Sequence, residues 1–251
     1  MNEINTAIAA AKAAGKIVKD HFMKEHVINN KDDIGHDIVT DADFLSEKTI
    51  VSIIKENFSN HNILSEETSF EKTDSLYTWI IDPIDGTDNF ARGIPLIMVG
   101  IALKKGDEVV LAVCYDPIHD ELFRAEKGKG AYCNNKRIRV SERDLLHASV
   151  ARAIKMSEQS WWFEQQLQGK VSKLPKYTCA LQSICFVAAG KIDGAIVKGL
   201  NAWDFAPALL VKEAGGQITA LDGSAFSTEK DNCLVTNGKI HKELLALVNK
   251  K

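Results

Sequence analysis

The sequence predicts a layered α/β protein in which helices pack on sheets. Three observations carry that prediction. Amphipathic helical patterns open and close the chain, a meander of strand-like runs fills its middle, and helix and strand patterns interleave on either side. At 251 residues, 45% hydrophobic and 26% charged, the chain has length for one large domain or two closely joined halves around a buried core.

The first element is a helix, because Ile4, Ile8, Ala11, Gly15, Val18 and Phe22 recur at helical spacing while Lys12, Lys16 and Lys19 lie off that face. Polar Asn29 to Gly35, carrying Lys31, Asp32 and Asp33, reads as a mobile loop. A second helix is expected from Thr40 or Asp41 to about Phe58, burying Ile50, Val51, Ile54 and Phe58. Thr40 and Asp43 have capping-box spacing, with Asp where Glu or Gln is commoner, so Asp43 reads either as part of a helix start or as a reacting group. Ile63-Leu64 reads as a short strand entering Ser65-Glu66-Glu67; taken alone, that Glu pair is solvated surface.

The chain is organised around Trp79-Ile80-Ile81-Asp82-Pro83-Ile84-Asp85-Gly86-Thr87-Asp88-Asn89-Phe90. A buried strand, Tyr77 to Ile81, runs into a loop with acids at its start, which places carboxylates at the carboxyl end of a strand, where open sheets bind ligands. Asp82 and Asp85, with the Ile84 carbonyl between them, make a site for a hard divalent cation such as Mg²⁺. Gly86 and Thr87 follow, and a Gly lets backbone N–H groups approach an anion closely. Metal ligands beside an anion cradle suit phosphate chemistry.

Beyond this stretch, Ile94 to Leu103, Val109 to Tyr115, Glu121 to Ala125, Ala131-Tyr132 and Arg137 to Val140 read as a meander, with turns at Gly106-Asp107 and Gly128-Lys129-Gly130. Ser149 to Tyr177 gives no clear pattern except a helix carrying Trp161-Trp162-Phe163, an aromatic cluster for a core or a subunit contact. Leu181 to Ala189 reads as a helix closed by Gly190, Gly194 to Val197 as a strand, and Asp204 to Ala214 as a helix with Pro207 in its first turn and Gly215-Gly216 as its stop. At the start of that helix Asp204 reads as an N-cap, a role compatible with metal ligation. Gln217 to Leu221 and Asn232 to Thr236 are further strands, and Ile240 to Val248 is the closing helix.

Several function classes are excluded. Net charge is −3 with Lys and Arg scattered, so neither nucleic acid nor an anionic membrane is an expected partner. No apolar stretch approaches a bilayer span, and no basic-then-apolar signal opens the chain. The five cysteines show no Cys-x-x-Cys pair, which points to reduced thiols and a cytoplasmic location. The seven histidines have no zinc spacing, and no P-loop or Gly-x-Ser-x-Gly elbow is present.

Asp82 to Phe90 also resembles the signature of the inositol monophosphatase family of Mg²⁺-dependent, lithium-sensitive phosphatases. Ser65-Glu66-Glu67 resembles the family's Glu-Glu motif, and Ile38-Val39-Thr40-Asp41-Ala42-Asp43 its Val-Thr-x-x-Asp segment. Trp203-Asp204-Phe205-Ala206, followed by Glu213-Ala214-Gly215-Gly216, resembles its Trp-Asp motif. The segments occur in family order and cover most of the chain. The resemblance implies an alternating α-β-α-β-α sandwich of the inositol monophosphatase and fructose-1,6-bisphosphatase type, in one domain with an N-terminal half to about residue 140 and a C-terminal half beyond it. A homodimer is implied as well.

By the same resemblance, two or three Mg²⁺ ions are bound. Glu66, Asp82 and the Ile84 carbonyl would hold one, and Asp82, Asp85 and Asp204 a second. Water, its proton relayed through Thr87 to Asp43, would attack phosphorus in line, with Glu66 among the catalytic groups. The Gly86 and Thr87 N–H groups would steady the phosphoryl charge, with Asp85, Ala180 and Asp204 also near the substrate. Glu67 would support the ligand shell, and Lys31 would sit on a loop near the site. The expected substrate is a small phosphate monoester, an inositol phosphate or a related sugar or polyol phosphate. The alternatives are a fructose-1,6-bisphosphatase, a histidinol-phosphate phosphatase or a 3′-phosphonucleotide phosphatase of the same superfamily. Asp88-Asn89-Phe90 looks more like the inositol and fructose branches than the nucleotidase branch. A non-catalytic regulator on the same fold is the alternative of another class; retention of every expected ligand argues against it.

One departure concerns the substrate. Inositol-type members usually place a Glu six residues before the Trp of the Trp-Asp motif, where it accepts bonds from substrate hydroxyls; here that position is Val197, with Lys198 beside it. Thr178-Cys179-Ala180-Leu181 likewise departs from the expected small-residue run.

Overall fold

Alanines and β-branched residues along one stripe make the first helix of the computed structural model, which describes residues 1–24, 28–30, 38–68, 70–154 and 158–249. This helix, α1 (Glu3–His21), is capped by the Asn2 side chain on the Asn5 N–H. Strands β1 (Ile28–Asn30) and β2 (Ile38–Thr40) form an antiparallel pair, so Asn29 and Asn30 are strand rather than the expected loop. Lys31, Asp32 and Asp33 lie outside the described residues. Helix α2 (Asp41–Asn57) buries Ile50 and Ile54, as the spacing predicts.

A seven-stranded sheet follows: β3 (Asn62–Ser65), β4 (Tyr77–Asp85), β5 (Met98–Lys105), β6 (Glu108–Asp116), β7 (Glu121–Glu126), β8 (Gly130–Cys133) and β9 (Lys136–Arg137), hydrogen-bonded in chain order. Only β3 and β4 run parallel; the rest is the expected antiparallel meander. Short helix α3 (Thr87–Ala91) leaves β4. The smaller sheet has the order β10 (Val150–Ile154), β11 (Gly194–Lys198), β13 (Asn232–Thr236) and β12 (Gln217–Thr219). Helices α4 (Glu158–Leu167), α5 (Ala180–Ala188), α6 (Ala202–Phe205), α7 (Leu209–Glu213) and α8 (His241–Val248) complete the chain.

The layers are α-β-α-β-α, as expected. Helices α1 and α2 share a core with the first sheet around Trp79, Ile81 and Ile101. Helices α5 and α7 fill the space between the sheets with Leu181, Ile184, Leu210 and Val211. Helices α4 and α8 cover the outer face of the second sheet through Phe163, Leu167 and Leu244. Phe163 is buried while Trp161 is 65% exposed, so the aromatic cluster only partly serves the core. All five cysteines are free thiols. No described helix is long and apolar enough to cross a membrane.

Several expected boundaries need correction. Strand β5 begins at Met98 rather than Ile94, β9 ends at Arg137 rather than Val140, and β12 ends at Thr219 rather than Leu221. The expected helix over Asp204 to Ala214 is three pieces: α6, a 3₁₀ turn at Ala206–Ala208, and α7. Pro207 lacks an N–H and interrupts the helical ladder, and Phe205 leaves helical geometry at φ −140°, ψ −2°. The unassigned stretch supplies β10, which pairs in parallel with β11, and α4.

Candidate metal centre

The carboxylates are gathered by the ends of β3 and β4. Because these strands are parallel with Ser65 opposite Ile81, the next residue on each, Glu66 and Asp82, emerge side by side. Strand β4 runs through Asp85 rather than stopping at Ile81, which corrects the loop expected there. Residues three apart on a regular strand face opposite sides. Here Asp82 pairs with Gly100 and Asp85 with Met98, so three steps on β4 match two on β5. The extra residue is a bulge, and it re-aims a side chain while accommodating Pro83. The Ser46 hydroxyl on α2 donates to the Pro83 carbonyl at 2.8 Å and fixes the bend.

Asp204 arrives from the second half of the chain. It is the third residue of α6 rather than its N-cap; Asn201 is the N-cap, and its N–H donates to the Asp204 carboxylate at 2.8 Å. Ligand oxygens of Asp82, Asp85 and Asp204 all lie within 4.8 Å of one another. Helix α5 also reaches the site: the Leu181 N–H donates to Asp85 Oδ2 at 2.5 Å and the Cys179 thiol at 3.1 Å. Ala180, 3% exposed, turns its N–H to the same carboxylate. Gly100 faces α5 closely, where a Cβ would stand 2.3 Å from Leu181 Cδ1 and displace that side chain.

Gly86 is the N-cap of α3 at φ 90°, and a Cβ there would stand 2.8 Å from the Leu96 carbonyl, so both backbone and space require glycine. Thr87 follows. Its hydroxyl lies 3.2 Å from Asp43 Oδ1 and 3.0 Å from the Ile84 carbonyl, and donates its single proton to one of them. Asp43 is fully buried, and its Oδ2 accepts the Thr40 N–H at 2.8 Å and the Thr40 hydroxyl at 2.5 Å. One carboxylate thus meets both the helix start, through Oδ2, and the Thr87 hydroxyl, 3.2 Å from Oδ1.

The electrostatics are those of crowded acids. Burial first, then the charges of Glu66, Asp85, Asp204 and Asp43, push the Asp82 carboxyl well above the usual carboxylate range. Burial pushes Asp85 up to about 6 against the pull of the Leu181, Cys179 and Ala180 donors. Asp82 is 1% exposed, and neither of its oxygens has a hydrogen-bond partner in the structure. A buried carboxylate with no donor is strongly disfavoured. Three converging carboxylates, one of them wholly unpartnered, fit a hard divalent cation.

A pH dependence follows from these shifts. Both acids bind protons more tightly folded than at their ordinary value of 3.8, so their contribution to stability is present below that pH and lost as pH rises, through about 6 for Asp85, with Asp82 shifted in the same direction. A cation that replaces those protons acts most where they have left. The rise in unfolding midpoint on adding Mg²⁺ in place of EDTA is therefore expected to be larger at pH 8 than at pH 5. An equal or larger rise at pH 5 would contradict the assignment.

Glu66 is half-buried and lies outside the tight group, but its charge acts on both Asp82 and Asp85. The Glu67 N–H donates to Glu47. Sequence reasoning missed Glu47, Ser46, Gly100 and the Cys179 thiol. Ser46 and Glu47 carried a signal, since they lie one helical turn beyond Asp43 on the face that buries Ile50 and Ile54.

Comparison with known proteins agrees with this geometry. Residues 2–251 match the model of the inositol monophosphatase family. The Thermotoga maritima protein named fructose-1,6-bisphosphatase/inositol-1-monophosphatase is 34% identical over 250 residues, covering 99% of this chain and 96% of that one. The Haemophilus influenzae protein named Nus factor SuhB is 33% identical over 250 residues, covering 96% and 94%. Among solved structures, the Bartonella henselae extragenic suppressor protein suhB superposes with a TM-score of 0.92 at 32% identity, covering 98% of each chain. A Thermotoga maritima IMPase superposes at 0.91 with 33% identity, covering 99% of this chain and 97% of that one. The sequence segments, the layered fold and the gathered carboxylates agree: this chain belongs to the inositol monophosphatase family.

Proposed function

We propose that the protein hydrolyses small phosphate monoesters in a Mg²⁺-dependent reaction. The observation that carries this reading is the convergence of Asp82, Asp85 and Asp204 beside a Thr87 hydroxyl within reach of the buried Asp43. Asp82, Asp85 and Asp204 would hold one ion, and Glu66, Asp82 and the Ile84 carbonyl another, so that each half of the chain contributes ligands. Bound Mg²⁺ would polarise the phosphate and lower the pKa of water. Thr87 Oγ1 takes a proton from the attacking water as its own passes to Asp43 Oδ1, the oxygen not occupied by Thr40. The Gly86 and Thr87 N–H groups meet the phosphoryl oxygens.

The reading of the substrate rests on Val197. It is fully buried in β11, in the core that includes Ala153 and Phe205, and offers no acceptor. Lys198 faces the other way, with its Nζ 5.7 Å from the Phe163 ring centroid. The test is phosphate release from inositol, fructose, glycerol, histidinol and nucleotide phosphates, with Mg²⁺ or EDTA and across a lithium titration. Release only with Mg²⁺, inhibition by Li⁺, and a preference for myo-inositol 1-phosphate below about a hundredfold, under about 3 kcal/mol in kcat/KM, are expected. A larger preference would show that the missing acceptor at Val197 does not matter. The homodimer and the cytoplasmic location belong to the same proposal.

A second reading is a non-catalytic role on this fold, favoured by the name Nus factor SuhB that several relatives at 32–34% identity carry. The same assay separates the two. A folded, Mg²⁺-binding protein that releases no phosphate from any ester would support the second.

A further inference from the structure

Glu47 stands on α2 and is 2% exposed. Its Oε2 accepts the Ser65 hydroxyl and, at 2.8 Å, the Glu67 N–H. Those two residues flank Glu66. The β3–β4 ladder ends with Ser65 opposite Ile81, so Glu66 lies beyond the last sheet pairing. The other Glu47 oxygen, Oε1, has no hydrogen-bond partner in the structure, and the whole grip therefore falls on Oε2. Helix α2 already supplies Asp43 to Thr87 and Ser46 to the Pro83 carbonyl. Glu47 extends the same helix face to the end of β3.

We infer that Glu47 is a positioning residue, which holds the chain on both sides of Glu66 and so sets where the Glu66 carboxylate stands against Asp82. The inference rests on the metal-centre reading above. A carboxylate fits the task because one oxygen accepts two donors, a hydroxyl and an N–H, with its own direction fixed by the helix. Groups that orient ligands typically change metal affinity by about 10–100-fold when removed.

The test is Mg²⁺ binding to the full chain by titration calorimetry, with kcat and half-saturating Mg²⁺ measured alongside. Glu47→Ala is expected to lose about 10–100-fold in Mg²⁺ affinity and to raise half-saturating Mg²⁺ far more than it lowers kcat at saturating metal. Glu47→Gln retains an acceptor oxygen for the Glu67 N–H and is expected to restore affinity close to that of the unmutated chain. Ser65→Ala removes one of the two bonds and is expected to fall between them. Unchanged affinity in Glu47→Ala would overturn the inference. So would a Glu47→Gln as weak as Glu47→Ala, since charge rather than grip would then be responsible. Should Glu47→Ala fail to fold, Ser65→Ala decides, and unchanged affinity there overturns the inference. A chain that binds no Mg²⁺ before mutation overturns the metal-centre reading and this inference with it; intact binding that Glu47→Ala leaves unaltered overturns this inference alone.

Discussion

Asp82→Asn is expected to abolish turnover, by more than about a thousandfold or roughly 4 kcal/mol of transition-state stabilisation, and to weaken Mg²⁺ binding. The charges of Glu66, Asp85, Asp204 and Asp43 all act on Asp82. The same substitution has an opposite effect on the metal-free protein. Burial and neighbouring charge disfavour an ionised Asp82 whose oxygens have no donors. Asn cannot ionise, so the variant should unfold at a higher temperature than the unmutated chain in EDTA at pH 8, and gain less from added Mg²⁺. Activity near the unmutated level, or a lower midpoint in EDTA, would show that the site has been misassigned.

Thr87→Ala is expected to lower kcat by roughly 10²–10⁴-fold with Mg²⁺ affinity little changed, the range that general-base assistance contributes. Asp43→Asn should behave alike. Its amide oxygen can still accept the Thr40 N–H, so the start of α2 survives, but its NH₂ then faces Thr87 where an acceptor is needed. Calorimetry and steady-state kinetics on the same samples separate proton relay from ligation. If either variant lost Mg²⁺ affinity while turnover recovered at high metal, the residue would be a ligand and the relay incorrect.

Much of this was legible in the sequence, for identifiable reasons. Helix α1 and the second half of α2 carry apolar periodicity, and glycine turns stand between β5 and β6 and between β7 and β8, so their existence followed from local pattern. The acids of the site lie in short segments that resemble a known family, and the structure brings Asp82, Asp85 and Asp204 together. What the sequence did not reveal depends on contacts between distant segments. The bulge at Asp82–Asp85 is visible only against Gly100 and Met98 on β5. The donors to Asp85 come from Cys179 and Leu181, far along the chain. Asp204 looked like an N-cap because Asp is common there, but Asn201 starts the helix and Pro207 soon breaks it. Val197 and Lys198 are adjacent in sequence yet alternate across β11, which removes Lys198 from the inner face.

The proposed metal centre is assembled from both halves of the chain, Asp82 and Asp85 from the first and Asp204 from the second. Anomalous diffraction from crystals soaked in Mn²⁺, a hard divalent stand-in for Mg²⁺, tests it most directly. A strong anomalous peak bounded by the carboxylates of Asp82, Asp85 and Asp204 is expected, which Asp204→Asn weakens or removes. A well-occupied peak elsewhere, with those carboxylates unliganded, would contradict it.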